Sequence, residues 1–417
     1  MTTDGLATSR WGRATQVART RWSSIASERE RSIDREVRDD RTAAILGIAL
    51  GVAFTVCFVT GLISHLIQHP PSWFAWPARP VGLYRVSQGV HVATGIASVP
   101  LLLAKLWAVY PRLFRGPRRD VGDVLARMSL VPLVGGSLFM LVTGVGNIER
   151  WYPWPFFFPR AHFWVAWITI GALIVHVGAQ VSTTRAALSR ANPIGGVTSN
   201  SASGADVGAD EKMVRSGMSR RGFMTSVAAA TGALTLTTAG QTWSPLRRLV
   251  LFAQRRPDIG SQGLPVNQAA ADAHVEKTAT DPAYQLVVEI DGHPAASWSL
   301  RQLEAMPKRA AKLPISCVEG WSADARWSGI AVRDLLARAG VTHLDGRSVE
   351  VVSLEANGLY GRSTLSSAEA MDRDTLLALE VNDERLNLDH GYPIRLIAPN
   401  RPGVMQTKWV HRLLVSR

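Results

Sequence analysis

Four long apolar runs in the N-terminal half constrain this chain more than any other feature. They cover residues 42–66, 84–110, 124–148 and 162–183. Each is long enough to cross the hydrocarbon core of a bilayer, which takes about 20 helical residues. A single buried helix of a soluble protein can be this long, but four in succession favour a membrane bundle. We therefore predict an all-α transmembrane four-helix bundle over residues 42–184, because helices satisfy every backbone polar group within lipid.

The distribution of basic residues between the loops predicts how the bundle is oriented. Residues 1–41 form a basic arm, and further basic residues follow the second and fourth runs, namely Arg112, Arg115, Arg118, Arg119, Arg185 and Arg190. Loops rich in Lys and Arg stay on the cytoplasmic side of a membrane. The loops after the first and third runs are instead rich in aromatic residues, which are typical of the membrane–water interface. We therefore expect a cytoplasmic arm and a multi-pass protein of the cell membrane, in contact with lipid.

The segment after the bundle predicts a fifth crossing. The linker expected over residues 185–218 is rich in small and polar residues. Residues 219–242 begin with the sequence SRRGFM and continue as a weakly apolar stretch, which resembles a twin-arginine export signal. The alternative is a fifth membrane helix with an ordinary basic flank. Both interpretations place the domain over residues 243–417 outside the cytoplasm.

The net charge and the absence of known motifs limit the kinds of partner that we expect for this chain. The net charge is +13, but the arginines cluster at the ends of apolar runs, which favours a membrane surface over nucleic acid. The sequence has no zinc-finger spacing, RNA-binding motif or Gly-rich phosphate loop, so we expect neither a nucleic-acid partner nor a nucleotide site.

The chain has two cysteines in different settings. Cys57 lies inside an apolar run and is interpreted as a small buried residue. Cys317 stands in the exported domain without a disulfide partner and needs another explanation.

The residues from about 284 onward show strand and helix patterns in turn. Apolar patterning predicts strands at 284–290, 312–317, 348–354, 392–397 and 409–415. Short helices are expected at 299–306 and at 330–339, the second ended by Gly340. The predicted fold class is therefore multi-domain, with a transmembrane bundle and a fifth signal-like helix followed by an α+β domain.

Two sequence blocks in the α+β region carry its chemistry. The first, CVEGWSADARWSG, starts at Cys317, and the second, HGYPIRL followed by GVMQTKW, starts at His390. In this order they resemble the oxidoreductase molybdopterin-binding domain over about residues 264–417. That is the fold of sulfite oxidase and of the periplasmic methionine sulfoxide reductase catalytic subunit. The resemblance implies that Cys317 is the catalytic residue and the protein ligand of molybdenum, a metal that soft sulfur donors suit.

The same resemblance implies which residues bind the molybdopterin. The expected cofactor-binding residues are Asn267, His390, Arg395, Gln406, Thr407 and Lys408. Arg395 and Lys408 match the family's anchoring cations, as a phosphate requires, and His390 matches a position that is often Asn in relatives. Each has a structural alternative, because Arg395 could form a surface ion pair and Lys408 could be an edge-strand charge.

Histidines in the apolar runs predict a second cofactor. Ionisable side chains are costly within a membrane and usually functional, and the runs contain His65, His91, His162 and His176. The bundle is similar to bacterial b561-type cytochromes, which implies that these histidines bind the iron of b-type haem. His176 is the deep one, so one haem near the outer face is favoured over two, and the pairing is left open. The alternative is that the histidines hydrogen-bond between helices.

Together these features predict a membrane-bound molybdopterin-dependent oxidoreductase. Oxygen-atom transfer on a small extracytoplasmic substrate would exchange electrons, through the haem, with the quinone pool or another carrier. Analogy with the methionine sulfoxide reductase system favours reduction of an S-oxide or N-oxide. Oxidation of a sulfite-type sulfur anion is the alternative, although Arg326 is the one Arg near Cys317 in the sequence. A further alternative is a membrane cytochrome with a non-catalytic exported binding domain.

Overall fold

The computed structural model describes residues 38–113, 121–189, 219–251, 255–356 and 358–416. Most of the arm predicted over residues 1–41 and of the linker predicted over residues 185–218 therefore lies outside the described residues. The same holds for Arg115, Arg118, Arg119 and Arg190.

Four long apolar helices occupy the N-terminal region, as the sequence predicts. They are α1 (Asp40–Gln68), α2 (Leu83–Leu113), α3 (Val121–Ile148) and α4 (Phe158–Ser189). Each contains a span long and apolar enough to cross a membrane, by length and composition only. Asp39 begins the bundle by accepting a hydrogen bond from the amide of Thr42 at 2.6 Å, which satisfies one of the free N–H groups at the start of α1.

A fifth helix, α5 (Arg220–Ala239), follows the linker. Its residue Val227 is buried in an apolar cluster with Leu46 of α1 and Ala104 of α2. Arg220 forms an ion pair with Asp39 at 3.1 Å. These contacts show how the first turns of α5 are held, and the role of this segment as an export signal remains a prediction.

The chain forms two compact units. The first comprises the residues up to Ala53 together with Ala97–Gly135 and Thr169–Ala233. The second comprises Phe54–Ile96, Gly136–Ile168 and Leu234–Arg417. One part of each of α1 to α4 thus belongs to the same unit as the whole α+β domain.

Within the described residues, ten strands and four short helices build the α+β domain. The strands are β1 (Gln285–Ile290), β2 (His293–Ser299), β3 (Arg309–Ser316), β4 (Ser322–Ala331), β5 (Ser348–Ser353), β6 (Arg362–Leu365), β7 (Leu376–Val381), β8 (Glu384–Arg385), β9 (Arg395–Ile397) and β10 (Val410–Ser416). The helices are α6 (Glu276–Ala279), α7 (Leu300–Glu304), α8 (Val332–Arg338) and α9 (Ser367–Met371). The helical region followed by an α+β domain confirms the predicted fold class at this level.

The strands form two sheets. The first has the order β2-β1-β10-β5-β6, in which β1 and β10 are parallel and the other neighbours antiparallel. The second has the order β3-β4-β7-β8, with β9 paired to β7, and all its pairs are antiparallel. Fully buried residues such as Leu286, Leu336 and Leu413 belong to the main core, to which both sheets and the helices contribute. Replacing one such leucine by alanine costs about 2–5 kcal/mol, so this core contributes much of the stability of the domain.

The sequence patterns did not predict β2, β4, β6, β7 or β8, of which β4 is the longest. Its inward-facing residues include Ala323 and Ala325, which are buried but too small to give a strong apolar alternation. The helix predicted over residues 330–339 is accordingly shorter, because Ile330 and Ala331 pair with β7. The strand predicted over residues 392–397 begins only at Arg395.

Candidate active site

A tight turn between β3 and β4 positions Cys317. The amide of Cys317 donates to the Trp321 carbonyl at 2.8 Å, and the amide of Gly320 donates to the Cys317 carbonyl at 3.0 Å. Gly320 has a φ of +97°, a conformation that L side chains rarely adopt. Cys317 is therefore held at the tip of a closed turn, with 2% of its surface exposed.

The surroundings of Cys317 favour a neutral thiol until a cation binds. Burial raises the pKa of the thiol above its usual value, and the nearby Glu319 carboxylate raises it further. A metal ion deprotonates a coordinating thiol outright and stabilises the thiolate. The site is thus suited to one thiolate ligand whose charge is balanced by a metal.

The second sequence block lies against the Cys317 turn. Ser316 forms an isolated parallel bridge with Pro402. A Cβ atom built on Gly403 would lie 3.2 Å from the carbonyl oxygen of Ser316, so a glycine permits this approach. The bridge brings the segment from Gly403 to Trp409 alongside the residue that precedes Cys317.

Arg395 and Lys408 form a buried cationic cluster. Lys408 Nζ donates to the backbone carbonyls of Gln268 and Asp389 at 2.8 and 2.7 Å. A Cβ atom on Gly391 would lie 3.1 Å from Lys408 Cβ and 3.2 Å from Arg395 Cβ. The absence of a side chain at Gly391 therefore lets the two cations approach each other.

His390 adjoins this cluster as a neutral residue. Burial lowers the pKa of His390 to about 4, and the positive charge of Arg395 contributes. Its Nε2 lies 2.7 Å from the Ser261 carbonyl, which can only accept, so Nε2 carries the proton. The His390 carbonyl in turn accepts a hydrogen bond from Arg395 at 3.1 Å. The backbone and the ring of His390 thus both stabilise the local geometry.

Four of the predicted residues line one open cavity, namely Asn267, Gln406, Thr407 and Lys408. Tyr360 and Trp409 are among the other residues of its wall. Thr407 Oγ1 is hydrogen-bonded to Ser363 Oγ at 2.7 Å, so this side chain serves the fold. The cavity therefore unites residues from distant parts of the chain, as a cofactor site requires.

Unsatisfied polar atoms mark where an anionic cofactor fits. Arg395 Nε and Gln406 Oε1 are buried and have no hydrogen-bond partner among the described residues. Burial lowers the pKa of Arg395 to about 10 and lowers that of Lys408 well below its usual value. A bound phosphate would stabilise both charged forms. The residues present therefore fit a phosphate-bearing cofactor.

Comparison with known proteins identifies this part of the chain. Residues 273–417 match the family model of the oxidoreductase molybdopterin binding domain. This region is a molybdopterin-binding oxidoreductase domain. It is similar to sulfite oxidases, which supports the molybdopterin cofactor predicted from the sequence.

The relatives share the molybdopterin domain rather than the whole chain. Mitochondrial sulfite oxidase of Drosophila melanogaster is 31% identical over 32% of this chain and 27% of its own length. Sulfite oxidase of Arabidopsis thaliana is 38% identical over 23% of the chain and 28% of its own length. A nitrate reductase of Neurospora crassa is 33% identical over 24% of the chain and 11% of its own length. The chain thus spans less than a third of each of these relatives.

A solved structure with a partial likeness is the sulfane dehydrogenase SoxCD of Paracoccus pantotrophus. It shares 22% sequence identity, with a TM-score of 0.30, over 39% of this chain and 46% of that chain.

The structure adds charged residues that the sequence did not place beside Cys317. Glu319 accepts hydrogen bonds from Arg255 at 2.9 Å and from the indole of Trp321 at 3.0 Å. Arg150, from the segment between α3 and α4, lies 3.9 Å from the same carboxylate. Arg326, by contrast, pairs with the exposed Asp383. The sequence did not predict the contact between Arg255 and Glu319. Arg255 lies 62 residues before Cys317, and no motif around it marks its role.

Two of the candidate haem ligands lie close together within the second unit. The ring centroids of His91 and His162 are 6.3 Å apart. Nδ1 of His91 donates to the Cys57 carbonyl at 2.9 Å. Nδ1 of His162 lies 2.9 Å from the Thr143 hydroxyl, whose own proton goes to the Phe139 carbonyl. Both rings therefore carry their proton on Nδ1, which leaves the Nε2 lone pairs available to a metal.

The other two candidate histidines have different surroundings. The ring of His65 stacks on Phe163 with centroids 3.6 Å apart and also lies 4.9 Å from His69. His176 belongs to the first unit, whereas His65, His91 and His162 belong to the second. The structure therefore brings together one pair of the four.

Proposed function

We propose that this chain is a membrane-bound molybdopterin-dependent oxidoreductase that moves an oxygen atom to or from a small extracytoplasmic substrate. One observation carries the proposal: Cys317 is a buried thiol at the tip of a closed turn, and the Ser316–Pro402 bridge brings the segment that contains Lys408 against that turn. A thiolate ligand and two anchoring cations for one cofactor therefore converge.

The residues around the cofactor have separate tasks. The Cys317 thiolate holds the molybdenum, which supplies two-electron oxygen-atom exchange when bound. Arg395 and Lys408 bind the pterin phosphate, and Arg395 is kept in place by the Trp327 ring, 5.5 Å from its guanidinium. Asn267 contacts the pterin from the cavity wall. The remaining predicted contacts, His390 and the loop residues Gln406 and Thr407, orient it through their side-chain and backbone groups.

A b-type haem held by His91 and His162 would relay the electrons. The two rings have their centroids 6.3 Å apart, and each uses Nδ1 for a hydrogen bond, which leaves Nε2 free to bind a metal. These two side chains would therefore hold the haem iron, and the haem would supply one-electron chemistry when bound. This argument favours His91 and His162 over His65 and His176 as the ligand pair.

The helices suggest where the reaction takes place. The four apolar spans would lie in the membrane, with lipid around them and the quinone pool, or another carrier, as electron partner. The basic segments around residues 1–41, 112–119 and 185–190 would be cytoplasmic, which puts the molybdopterin domain on the opposite side. Reporter fusions to residue 189 and to residue 416 test this topology.

Two directions of reaction suit this site. Analogy favours reduction of an S-oxide or N-oxide, and one of the relatives is a nitrate reductase. Oxidation of a sulfite-type anion is the second candidate, favoured by the sulfite oxidases. Assays of the purified protein with sulfoxides, N-oxides and sulfite, with the haem spectrum as readout, separate the two.

Metal analysis of purified protein and two variants tests the central proposal. Wild type should contain molybdenum and iron, and Cys317→Ser should lose molybdenum and oxygen transfer while keeping iron. Cys57→Ser is the matched control and should keep both metals. Iron without molybdenum in wild type, from cells that make the cofactor, would instead support a membrane cytochrome with a non-catalytic binding domain.

A further inference from the structure

The backbone carbonyl next to Cys317 is bound by side chains from two of the apolar helices. Val318 O accepts a hydrogen bond from Gln88 Nε2 of α2 at 3.2 Å. It also accepts one from Asn147 Nδ2 of α3 at 3.4 Å. Gln88 is 6% exposed, so its amide is committed to this contact. Both contacts are at the long end of the range for N–H···O hydrogen bonds.

Each of these helices also carries a group that holds one of the paired histidines. His91 lies on α2, three residues after Gln88, which is about 4.5 Å along the helix axis. Thr143 lies on α3, four residues before Asn147, and its hydroxyl accepts the Nδ1 proton of His162. Each of the two residues that bind the Val318 carbonyl is therefore about one helical turn from a group at one of the two rings.

Further contacts keep this junction rigid. The Thr242 hydroxyl donates to the Gly320 carbonyl, and the amide of Ser322 donates to the Gln241 carbonyl at 2.8 Å. A Cβ atom on Gly320 would lie 2.9 Å from a methyl group of Val92, the residue after His91. The turn that carries Cys317 thus packs directly on α2, and no movement of the domain is needed for contact.

We propose that Gln88 and Asn147 are positioning residues of an intramolecular electron route from Cys317 to the His91–His162 pair. The inference rests on the proposed function, since it requires a metal at each end. In each transfer the group at Cys317 loses one electron and the group bound by the two histidines gains it. In the reverse direction the histidine-bound group loses the electron and the group at Cys317 gains it. No bond breaks and no proton moves at the Val318 carbonyl, because both amides remain neutral donors.

Flash photoreduction of the purified full-length protein tests the route without knowledge of the substrate. A photogenerated flavin semiquinone reduces the haem, and partial haem reoxidation then reports first-order transfer to the molybdenum. In wild type we expect this phase, and in Cys317→Ser we expect it to vanish. Gln88→Met and Asn147→Leu, which keep length or bulk but remove the donor, should each slow it, and the double variant should slow it by about tenfold or more.

A matched variant separates the route from general docking. Arg85 lies one turn before Gln88 and binds Asp324 and the Thr242 carbonyl, but does not contact Val318. Arg85→Leu should therefore leave the rate unchanged. Haem spectrum, haem potential and molybdenum content should be unaltered in the Gln88 and Asn147 variants, which shows that both sites are intact.

The outcomes distinguish the two levels of inference. Wild type without haem or without molybdenum refutes the proposed function, and the route with it. Wild type with both metals but no reoxidation phase refutes direct transfer alone. A double variant that matches wild type in rate refutes the role of Gln88 and Asn147, while the proposed function stands.

Discussion

Arg255 forms a buried ion pair with Glu319, two residues after the proposed molybdenum ligand Cys317. The guanidinium donates to the carboxylate at 2.9 Å, and the two side chains are only 10% and 12% exposed. Burial lowers the pKa of Arg255, and the Glu319 carboxylate partly restores it. Each charge therefore depends on the other, and the pair ties the segment after α5 to the active-site turn.

Removal of one partner should be costly. Breaking a fully buried pair from one side costs about 3–5 kcal/mol because it leaves an uncompensated charge. Arg150, 3.9 Å from Glu319, would compensate part of that charge, so this range is the upper limit here. We expect Arg255→Leu to lower the free energy of unfolding of the molybdopterin domain by up to this amount and to reduce molybdenum content. Arg247→Leu is the control, because its pair with Asp258 is 49% and 58% exposed and is worth about 0–1 kcal/mol. Equal unfolding curves for the two variants would contradict the structural role of Arg255.

Haem binding should depend on two of the four candidate histidines. We expect His91→Ala and His162→Ala each to abolish the low-spin b-type absorption spectrum in detergent, because each removes one of the two proposed ligands of the iron. His65→Ala should retain it, since His65 stacks on Phe163. The pairing is wrong if the His65 variant is colourless and either of the others keeps its spectrum.

The backbone at Gly391 should be essential for cofactor binding. Gly391→Ala forces an L residue to a φ of +109° and crowds the Cβ atoms of Lys408 and Arg395. Gly340→Ala imposes a similar φ of +91°, but no atom lies within 4 Å of its Cβ position. Both should lose about 1–2 kcal/mol of stability through backbone strain. We expect molybdenum to be lost from the Gly391 variant alone, as measured by metal analysis of the purified proteins.

Acid should destabilise the domain through His390. Its pKa falls from 6.5 to about 4 on burial, so the unfolded chain binds more protons than the folded one between these values. The contribution of His390 to the free energy of unfolding is therefore fully present above about pH 6.5. It is lost as the pH falls towards 4, by at most about 3 kcal/mol. His390→Asn should flatten this part of the profile of melting temperature against pH. An unchanged slope would show that other groups cause the acid sensitivity.

The sequence alone determined the order of the parts and singled out the proposed metal ligand. Four apolar runs could form only long helices, since their length and composition leave few other ways to satisfy the backbone. The two blocks that begin at Cys317 and His390 marked the molybdopterin domain through their resemblance to that family, because the residues of each motif are close neighbours in the chain.

Tertiary structure decided which distant residues meet. Nothing local in the sequence placed Arg255 beside Glu319, selected His91 and His162 from four histidines, or brought Gln88 to the Val318 carbonyl. These contacts join elements separated by 64, 71 and 230 residues. Pairing at such separations depends on how helices and sheets pack, and packing is a property of the whole fold, whereas hydrophobic period and motif spacing are properties of neighbouring residues.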